Sequence, residues 1–335
     1  MVKIGIIGLG KAWERLYAPS FERLTDKFQI TAVCSRNLER ANAVAHSLGL
    51  TENAAYCDYK YMLQNADIAV AATMVPITEN YECARAVIKS GRHLIAEKPF
   101  ASSVRAAREL LRLRERHGVK VMVAENFRYD EENVLIKSLL TQNKVGRVVY
   151  FIDNYIKDFR AEMIDDTFTN TEWRKHPKFR GGVFLDTGVH HIARQRFLFG
   201  SIRRIYATGR PTGADFVPHS CINALISFNN GVAGHYTFRA EGRETQAPAV
   251  GLRIFGSDGE IYLEDRECGF VNISLKDGTH EAIAYTPGQG YYHELRNFYD
   301  ALQNNAVIVS TPEKEIGDMK AIFNILNSIG VGKAV

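Results

Sequence analysis

Short apolar runs alternate with longer amphipathic stretches over the first 124 residues of the chain. Five of the runs have the length of strands, and the first is rich in β-branched residues, which is typical of parallel strands that are buried on both faces. They cover residues 3–7, 30–34, 68–72, 93–96 and 119–124. Three stretches between them, 37–48, 79–90 and 102–117, each end directly before a glycine, a common helix terminator. This alternation predicts a doubly wound, parallel α/β domain over residues 1–124.

The pattern changes near residue 125, where strand-like runs begin to come in pairs around short turns. The pairs are 225–228 with 232–238, 252–255 with 260–264, and 270–275 with 281–285. Each pair flanks a turn that contains Gly together with Asn or Asp, which is typical of β-hairpins. Two helical stretches, 293–303 and 312–329, close the chain.

Residues 125–335 are therefore predicted to form an α+β domain with one large, mostly antiparallel open sheet. Helices should cover one face of this sheet, and we expect a second copy of the chain to cover the other, in a homodimer or homotetramer. The polar, aperiodic stretch 154–180, which contains Asp165 and Asp166, is predicted to be a long loop over a ligand site. We allow for the C-terminal helix packing back on the first domain.

The bulk composition argues against several classes of protein. With 335 residues, of which 46% are hydrophobic, the chain can form two cores. A net charge of +4 with interspersed acids argues against nucleic-acid binding, and no apolar run approaches the ~18 residues of a membrane span. Five scattered cysteines and no signal-peptide pattern predict a cytoplasmic protein with reduced thiols. His190 and His191 are adjacent, but no acids or cysteines are spaced around them as a ligand set, so we expect no metal site.

The first strand leads into a glycine-rich turn, Gly8-Leu9-Gly10-Lys11-Ala12-Trp13. Two glycines at this spacing allow a tight turn and a close approach of a pyrophosphate to the backbone, next to a helix N-terminus. The second strand ends in Ser35-Arg36, where a site selective for NAD carries an acid for the ribose hydroxyl. A hydroxyl and a guanidinium, with Arg40 one helical turn on, suit a 2′-phosphate and favour NADP(H) over NAD(H). Arg36 as a plain surface charge is the alternative.

Two further motifs carry candidate proton-transfer groups. Glu97-Lys98-Pro99 closes an apolar strand, and a run from Gly181 to His190 reads GGVFLDTGVH. In a helix, Asp186 and His190 are spaced i and i+4 and share a face, whereas His191 points about 100° away. Lysine, aspartate and histidine in one pocket could move a proton to or from an alcohol oxygen, and His191 is predicted to be a core or interface histidine. Asp186 as a structural helix cap is the alternative.

These motifs resemble the Gfo/Idh/MocA family of NAD(P)-dependent oxidoreductases over nearly the whole chain. The segments that carry the resemblance are the first strand with its glycines, Ala84 to Pro99, Glu125 to Arg128, Trp173-Arg174 and Gly181 to His190. The resemblance implies a Rossmann dinucleotide-binding domain and reversible hydride transfer between the nicotinamide and a sugar, sugar derivative or cyclitol. It places the family's catalytic residues at Lys98, Asp186 and His190.

The site residues follow from the motifs and the resemblance together. The cofactor contacts are predicted at Gly8, Gly10, Lys11, Ala12, Trp13, Ser35, Arg36, Arg40, Thr73, Met74, Val75, Pro76, Asn80, Glu97, Lys98, Pro99, Asn126, Trp173 and Arg174. The substrate contacts are predicted at Lys98, Arg128, Tyr155, Trp173, Arg174, Asp186 and His190. An inter-domain hinge contact is the alternative for Asn126 and Arg128, and a packed aromatic with a solvent-exposed arginine is the alternative for Trp173-Arg174.

The chain departs from the family pattern at four positions. Trp13 replaces the third small residue of the glycine motif, and Ile77 and Asn80 stand where members often have Asn and His. Ala193 stands where many members have an acid or amide, which bears on the substrate more than on the reaction class. Two rival functions stay open: a reductase of a non-sugar substrate such as a dihydrodiol or tetrapyrrole, and a non-enzymatic NAD(P)-binding regulator.

Overall fold

The computed structural model describes residues 1–164, 167–242 and 250–335. They form two compact units, the first comprising residues 1–126 and 291–317 and the second residues 127–290 and 318–335. Asp165 and Asp166 of the predicted polar loop lie outside the described residues.

The first unit contains a six-stranded sheet in which all the described strand pairs are parallel. Its strands are β1 (Val2–Ile7), β2 (Phe28–Cys34), β3 (Ala55–Tyr56), β4 (Val70–Thr73), β5 (His93–Glu97) and β6 (Val121–Ala124). Their order is β3-β2-β1-β4-β5-β6, so the direction of winding reverses between β1 and β4. In open α/β sheets, ligands bind at the carboxyl ends of the strands beside such a reversal.

The helices of the first unit begin and end largely at the residues that the sequence indicates. A π turn (Trp13–Tyr17) leads into α1 (Ala18–Glu22) and is followed by α2 (Leu38–Ser47), α3 (Tyr59–Asn65), α4 (Ile77–Lys89) and α5 (Val104–His117). Side chains of Asn37, Asp58 and Ser103 accept hydrogen bonds from first-turn amides and cap α2, α3 and α5. Gly118 ends α5 at φ 64°, a left-handed conformation that glycine adopts at low cost. Helix α10 (Gly290–Asn304) lies almost entirely in this unit.

The second unit contains an eight-stranded sheet. Its strands are β7 (Val148–Ile156), β8 (Ile202–Pro211), β9 (His219–Phe228), β10 (Ala233–Arg239), β11 (Gly251–Gly256), β12 (Gly259–Leu263), β13 (Phe270–Leu275) and β14 (His280–Ala284). Their order is β14-β13-β12-β11-β7-β10-β9-β8. Among the described strands, β7 and β10 are parallel neighbours and the other pairs are antiparallel. The prediction of a parallel α/β domain followed by an α+β domain with a mostly antiparallel sheet is confirmed.

Alternate residues of these strands form the core of the second unit. Phe151, Tyr236 and Phe238 are fully buried, and Phe184 of a neighbouring helix packs edge-on against Phe238 with ring centroids 5.0 Å apart. The helices of the unit are α6 (Glu131–Thr141), α7 (Phe159–Glu162), α8 (Glu172–Lys175) and α9 (Val183–Phe199), together with most of α11 (Pro312–Val331).

The prediction of one continuous loop over residues 154–180 is wrong in part. Strand β7 continues to Ile156, and α7 and α8 lie within the stretch. The two helices have four residues each, which is too short to produce a helical period of apolar positions. Asp158 caps α7 by accepting a hydrogen bond from the amide of Ala161 at 3.1 Å.

In the part of the chain that the structure describes, no helix combines the length and the apolar character that crossing a membrane requires.

Candidate functional site

The glycine-rich turn lies where the winding of the parallel sheet reverses. Gly8 has φ 97°, and a Cβ atom there would lie 2.3 Å from the carbonyl oxygen of Met74, so a side chain is excluded. Met74 follows β4, and its amide donates a hydrogen bond to the carbonyl of Ile7 at 2.7 Å. The turns after β1 and β4 therefore approach each other closely, as the predicted contacts at 73–76 require.

Gly10 has the opposite surroundings. No atom of the described residues lies within 4 Å of a Cβ built at this position, so the space beside its backbone is open. A helical segment starts at residue 11 and turns its first amides towards the same end of the sheet. Gly8, which has no room for a side chain, Gly10, which lies beside open space, and the start of a helix together fit a pyrophosphate-binding turn.

Trp13 is accommodated inside the first unit. Its side chain is 4% exposed and packs against Phe21 with ring centroids 6.0 Å apart. The helix widens into a π turn from Trp13 to Tyr17, the place where the motif normally has a small residue. The indole thus belongs to the core, so a contact of Trp13 with a cofactor would have to come from its backbone.

The end of β2 presents exposed cations. Arg36 is 82% exposed at its side chain and pairs with Glu79 at 3.0 Å, while the guanidinium of Arg40 donates to the carbonyl of Leu9 at 3.4 Å. The Ser35 hydroxyl accepts a hydrogen bond from the amide of Asn37 at 3.3 Å. Arg40 thereby connects the β2 end to the glycine-rich turn.

The residues on both sides of Lys98 are held by side chains from other elements. The Asn80 carboxamide of α4 donates to the carbonyl of Glu97 at 3.2 Å and to that of Pro99 at 2.7 Å. The hydroxyl of Tyr17 donates to the Glu97 carboxylate at 2.8 Å. The Lys98–Pro99 peptide bond is cis. The sequence predicted a cofactor contact at Asn80. Both hydrogen bonds that its carboxamide donates here go to the residues on either side of Lys98.

In the second unit, α9 begins at a pair of glycines that both have positive φ, and at the second of them the surroundings exclude a side chain. Gly181 and Gly182 have φ 98° and 52°, and a Cβ at Gly182 would lie 2.1 Å from the carbonyl of Phe216. This tight entry puts Asp186 in the first turn of α9, 5% exposed.

Asp186 forms a buried ion pair. The Nε atom of Arg174 donates to its Oδ2 atom at 2.7 Å. The guanidinium of Arg174 also stacks over the rings of Trp173 and Phe168, at 4.1 Å and 4.7 Å from their centroids. The structure therefore gives Arg174 a protein partner that the sequence did not indicate, and one oxygen of Asp186 is committed to it.

The two adjacent histidines of α9 have different surroundings. His190 is half-buried and stacks on Phe127 with ring centroids 4.7 Å apart and 17° between the planes. His191 is 4% exposed and lies among Phe127, Tyr155 and Tyr236. Burial, and next the charge of Arg194, holds the pKa of His191 well below its usual value, so its ring is neutral. The prediction of a core or interface histidine at His191 is confirmed, and the structure places it in the core.

Two predicted substrate residues are largely engaged by the protein. Arg128 is 2% exposed, pairs with the buried Asp318 and donates to the carbonyl of Ala193 at 3.0 Å. Tyr155 stacks on Phe238 with centroids 5.4 Å apart, and burial raises its pKa. These contacts favour structural roles for both side chains, and their contact with a substrate stays a prediction.

A charged cluster beside His190 was missed from the sequence. Arg266 stacks over Phe127, on which His190 also stacks, at 4.3 Å from the ring centroid. It pairs with the buried Asp130 at 2.9 Å and lies 3.6 Å from Glu132. Asp130 and Glu132 resemble an ordinary helix start at α6, so nothing local indicates that an arginine more than a hundred residues later meets them.

Another buried carboxylate that the sequence analysis missed, Asp153, does carry a sequence signal. Asp153 interrupts an apolar strand and is fully buried, where Arg194 donates to it at 2.6 Å and Gln195 at 2.9 Å. An acid at an inward position of a buried strand requires such partners.

The predicted site residues are divided between the two units. The first unit brings together the glycine-rich turn, the ends of β2, β4 and β5, and Lys98, with Asn126 buried after β6. The second unit brings together Trp173, Arg174 and Asp186, and places His190 one turn along α9. The convergence of Lys98 with Asp186 and His190 stays a prediction. No group of three or more His, Cys, Asp or Glu side chains within the described ranges is placed to hold a metal ion.

Comparison with known proteins gives matches to both units. Residues 2–125 match the model of an oxidoreductase family with an NAD-binding Rossmann fold, and residues 137–335 match the model of that family's C-terminal alpha/beta domain. The chain is 24% identical over 339 residues to a D-xylose 1-dehydrogenase (NADP(+)) of Haloferax volcanii, with 99% of this chain and 98% of that protein covered. It is 25% identical over 313 residues to a scyllo-inositol 2-dehydrogenase (NADP(+)) of Bacillus subtilis, with 91% and 89% covered.

A solved structure agrees with these matches. The crystal structure of an oxidoreductase from Thermotoga maritima superposes with a TM-score of 0.86 at 26% identity, covering 100% of this chain and 98% of that one. Both family models together account for most of the sequence, including the glycine-rich turn, Lys98, Asp186 and His190. The chain therefore belongs to the Gfo/Idh/MocA family of NAD(P)-dependent oxidoreductases.

Proposed function

We propose that this protein is an NADP(H)-preferring oxidoreductase that transfers a hydride between the nicotinamide and a carbinol or carbonyl carbon of a sugar, sugar derivative or cyclitol. The observation that carries the cofactor preference is the end of β2, where Ser35 and Arg36 replace the acid of an NAD-selective site. Relatives named as NADP(+)-dependent dehydrogenases of xylose and inositol support the reaction and the substrate class.

The exposure of the β2 end also supports a 2′-phosphate ligand. Arg36 pairs with Glu79 at the protein surface, and exposed pairs of this kind contribute about 0–1 kcal/mol. A phosphate dianion can therefore recruit the guanidinium from Glu79 at small cost. Arg40, already bonded to the carbonyl of Leu9, stands next to the same turn.

The protein residues supply positioning and proton transfer. The bound nicotinamide cofactor supplies the hydride acceptor or donor. In the oxidising direction, His190 takes the proton of the substrate hydroxyl, and the Lys98 ammonium stabilises alkoxide character on the same oxygen. The reverse division, with Lys98 as the proton carrier, uses the same two residues.

We assign Asp186 a structural role in addition to its predicted catalytic one. Its Oδ2 atom is bonded to Arg174, which also stacks on Phe168 and Trp173. Under the proposal, Asp186 ties this segment to α9, and its carboxylate orients His190 or a neighbouring substrate hydroxyl.

A substrate screen tests the reaction. Purified protein is incubated with NADP⁺ or NAD⁺ and a panel of aldoses, sugar acids and cyclitols, and the absorbance of reduced cofactor is followed. We expect turnover with at least one polyhydroxylated compound, faster with NADP⁺. Turnover confined to a dihydrodiol or a tetrapyrrole, tested in the same panel, would contradict the substrate class.

Replacing Arg36 by alanine tests the cofactor preference. Arg36→Ala should weaken NADPH binding by about 1.5–3 kcal/mol, the scale of a hydrogen bond between charged groups, and leave NADH binding almost unchanged. Isothermal titration of both cofactors measures this. Arg105→Ala, which removes another exposed, paired arginine of the first unit, is the control. Equal losses for the two cofactors would show that Arg36 does not read the 2′-phosphate.

A further inference from the structure

We propose that Asn80 and Tyr17 are positioning residues that hold the backbone around Lys98 in its working conformation. The inference rests on the proposed function, in which Lys98 acts on the reacting oxygen. It extends that function to two residues whose side chains bond to the neighbours of the lysine in the chain and act through them.

Asn80 bonds to the chain on both sides of the lysine. Its Nδ2 atom donates to the carbonyl of Glu97 at 3.2 Å and to the carbonyl of Pro99 at 2.7 Å. The side chain is 2% exposed, so these bonds are shielded from water. Only a group with two N–H donors can satisfy both carbonyls at once, which an asparagine amide provides and an aspartate does not.

Tyr17 holds Glu97, the residue before Lys98, through the side chain of that glutamate. It is fully buried, and its hydroxyl donates to Oε1 of Glu97 at 2.8 Å. Burial, and next the charges of Glu294 and Glu97, raise the pKa of Tyr17 well above its usual value, so the hydroxyl keeps its proton and remains a donor. Tyr291 packs edge-on against its ring with centroids 5.3 Å apart, which restricts the ring further.

Tyr17 also links the lysine segment to the nucleotide-binding turn. It is the last residue of the π turn that begins at Trp13, directly after the glycine motif. The helix that starts at the predicted pyrophosphate site thus reaches the residue before Lys98 through one hydrogen bond. Fixing a reacting group this way matters because a misplacement of about 1 Å can cost about 100-fold in rate.

The test compares two variants with two matched controls. Asn80→Leu removes both amide bonds at similar volume, and Tyr17→Phe removes only the hydroxyl. Asn65→Leu and Tyr81→Phe are the controls, because they remove an amide-to-carbonyl bond and a hydroxyl-to-carboxylate bond elsewhere in the first unit. Thermal unfolding identifies variants that fold, and Tyr17→Phe keeps the test valid if Asn80→Leu does not.

The first measurement does not depend on turnover. The rate at which an acylating reagent modifies Lys98 at fixed pH is followed by mass spectrometry of tryptic peptides. We expect a several-fold change in this rate for Asn80→Leu and Tyr17→Phe and none for the controls. Identical Lys98 labelling in wild type and all four variants would overturn the positioning role, whatever the substrate proves to be.

The second measurement separates positioning from cofactor binding. With the substrate found in the screen, we expect kcat to fall by about 10- to 100-fold in both variants, with the Kd for NADPH within about twofold. In a Lys98→Ala background, Asn80→Leu should have no additional effect on the residual rate. A loss of NADPH affinity with unchanged kcat would assign Asn80 to the cofactor instead. If Lys98→Ala alone leaves kcat unchanged, the proposed function fails, and the labelling rate still decides the positioning role.

Discussion

Glu132 is a buried carboxylate whose protonation depends on pH near neutrality. It is 1% exposed, and burial, followed by the charge of Asp130, raises its pKa to about 7 although Arg266 opposes the shift. The folded protein therefore keeps the Glu132 proton over a range in which the unfolded chain, with a pKa near 4.5, has lost it. Stability from this group is present at low pH and is lost as the pH rises from about 4.5 to about 7.

Glu132→Gln should remove that pH dependence. Between pH 5 and pH 8, the free energy of unfolding of the variant should rise relative to wild type by about 2–3 kcal/mol, because each unit of pKa shift corresponds to about 1.4 kcal/mol and most of the shift is lost in this range. Denaturant titrations at both pH values measure the difference. Glu172→Gln, at an exposed position of the second unit, is the control. A difference that does not change with pH would mean that Glu132 is ionised throughout.

Lys98 is the residue on which the chemistry depends most under the proposed function. Lys98→Ala should lower kcat by about 10²- to 10⁴-fold, the usual contribution of a general acid or base. The affinity for NADPH should fall far less, because its phosphate contacts are predicted at the Gly8–Gly10 turn and the β2 end. Steady-state kinetics and cofactor titration separate the two effects. An equal loss in both would make Lys98 a cofactor ligand first.

At the residue scale, the sequence identifies those residues whose role depends only on their neighbours in the chain. Gly8 is one, because a tight turn after a buried strand needs its backbone freedom, and the structure leaves no room for a side chain there. Asn80 and Arg174 are different, because their partners, the Lys98 segment and Asp186, lie 17 to 19 and 12 residues away in the chain. No local pattern encodes such bonds, so their roles needed coordinates.

At the scale of elements, α9 separates its two histidines as the 100° step of a helix requires. His190 is partly exposed on Phe127, and His191 is buried among aromatic rings with no hydrogen-bond partner for Nδ1 among the described residues. The spacing alone therefore predicted that the two histidines would have different surroundings. It did not predict that Phe127 would contact both rings.

The two histidines should consequently respond to alanine in different ways. His190→Ala should reduce kcat by about 10²- to 10⁴-fold with a small effect on stability. His191→Ala should lower the free energy of unfolding by about 2–4 kcal/mol through the cavity that it leaves, with kcat changed severalfold at most. Kinetics and denaturant unfolding of both variants provide the comparison. If His191→Ala lost more activity than His190→Ala, the assignment of the helical face that carries Asp186 would have to be abandoned.

Element length decided which helices the sequence could predict. Helices α2, α4 and α5 have 10 to 14 residues and were found within about two residues of their ends, because several turns reveal their period and glycines mark their termini. The π turn at Trp13–Tyr17 has no sequence signal of its own beyond a bulky residue in a place for a small one.

At the scale of the whole molecule, the change from alternating to paired runs near residue 125 predicted two kinds of sheet, and both are present. The pattern could not show that residues 291–317 belong to the first compact unit. Helix α11 is one continuous helix, but the boundary between the units falls inside it, between Gly317 and Asp318. The period of apolar residues shows which face of a helix is buried and does not show which unit buries it.

The last prediction concerns the face of the eight-stranded sheet that lies opposite its core. Along β8 and β9, Ile205 and Ala224 are buried, while the neighbouring pair Tyr206 and Leu225 is 41% and 56% exposed. Tyr150 stacks on Phe255 on adjacent strands, with centroids 5.8 Å apart. Exposed aromatic and aliphatic side chains over several strands are typical of an interface, and one such face on each chain suits a twofold dimer of identical copies.

We therefore expect a homodimer, or a dimer of dimers, at micromolar concentration. Leu225→Glu should shift the protein towards monomer, because it would place a carboxylate in the surface that the dimer desolvates on both copies. Val307→Glu, at an 80% exposed valine of the first unit, is the control and should leave the mass unchanged. Light scattering coupled to size-exclusion chromatography measures each mass. A wild-type protein that elutes as a stable monomer at micromolar concentration would show that this face is not covered by a second copy, and the exposed pair Tyr206–Leu225 would then need a different explanation.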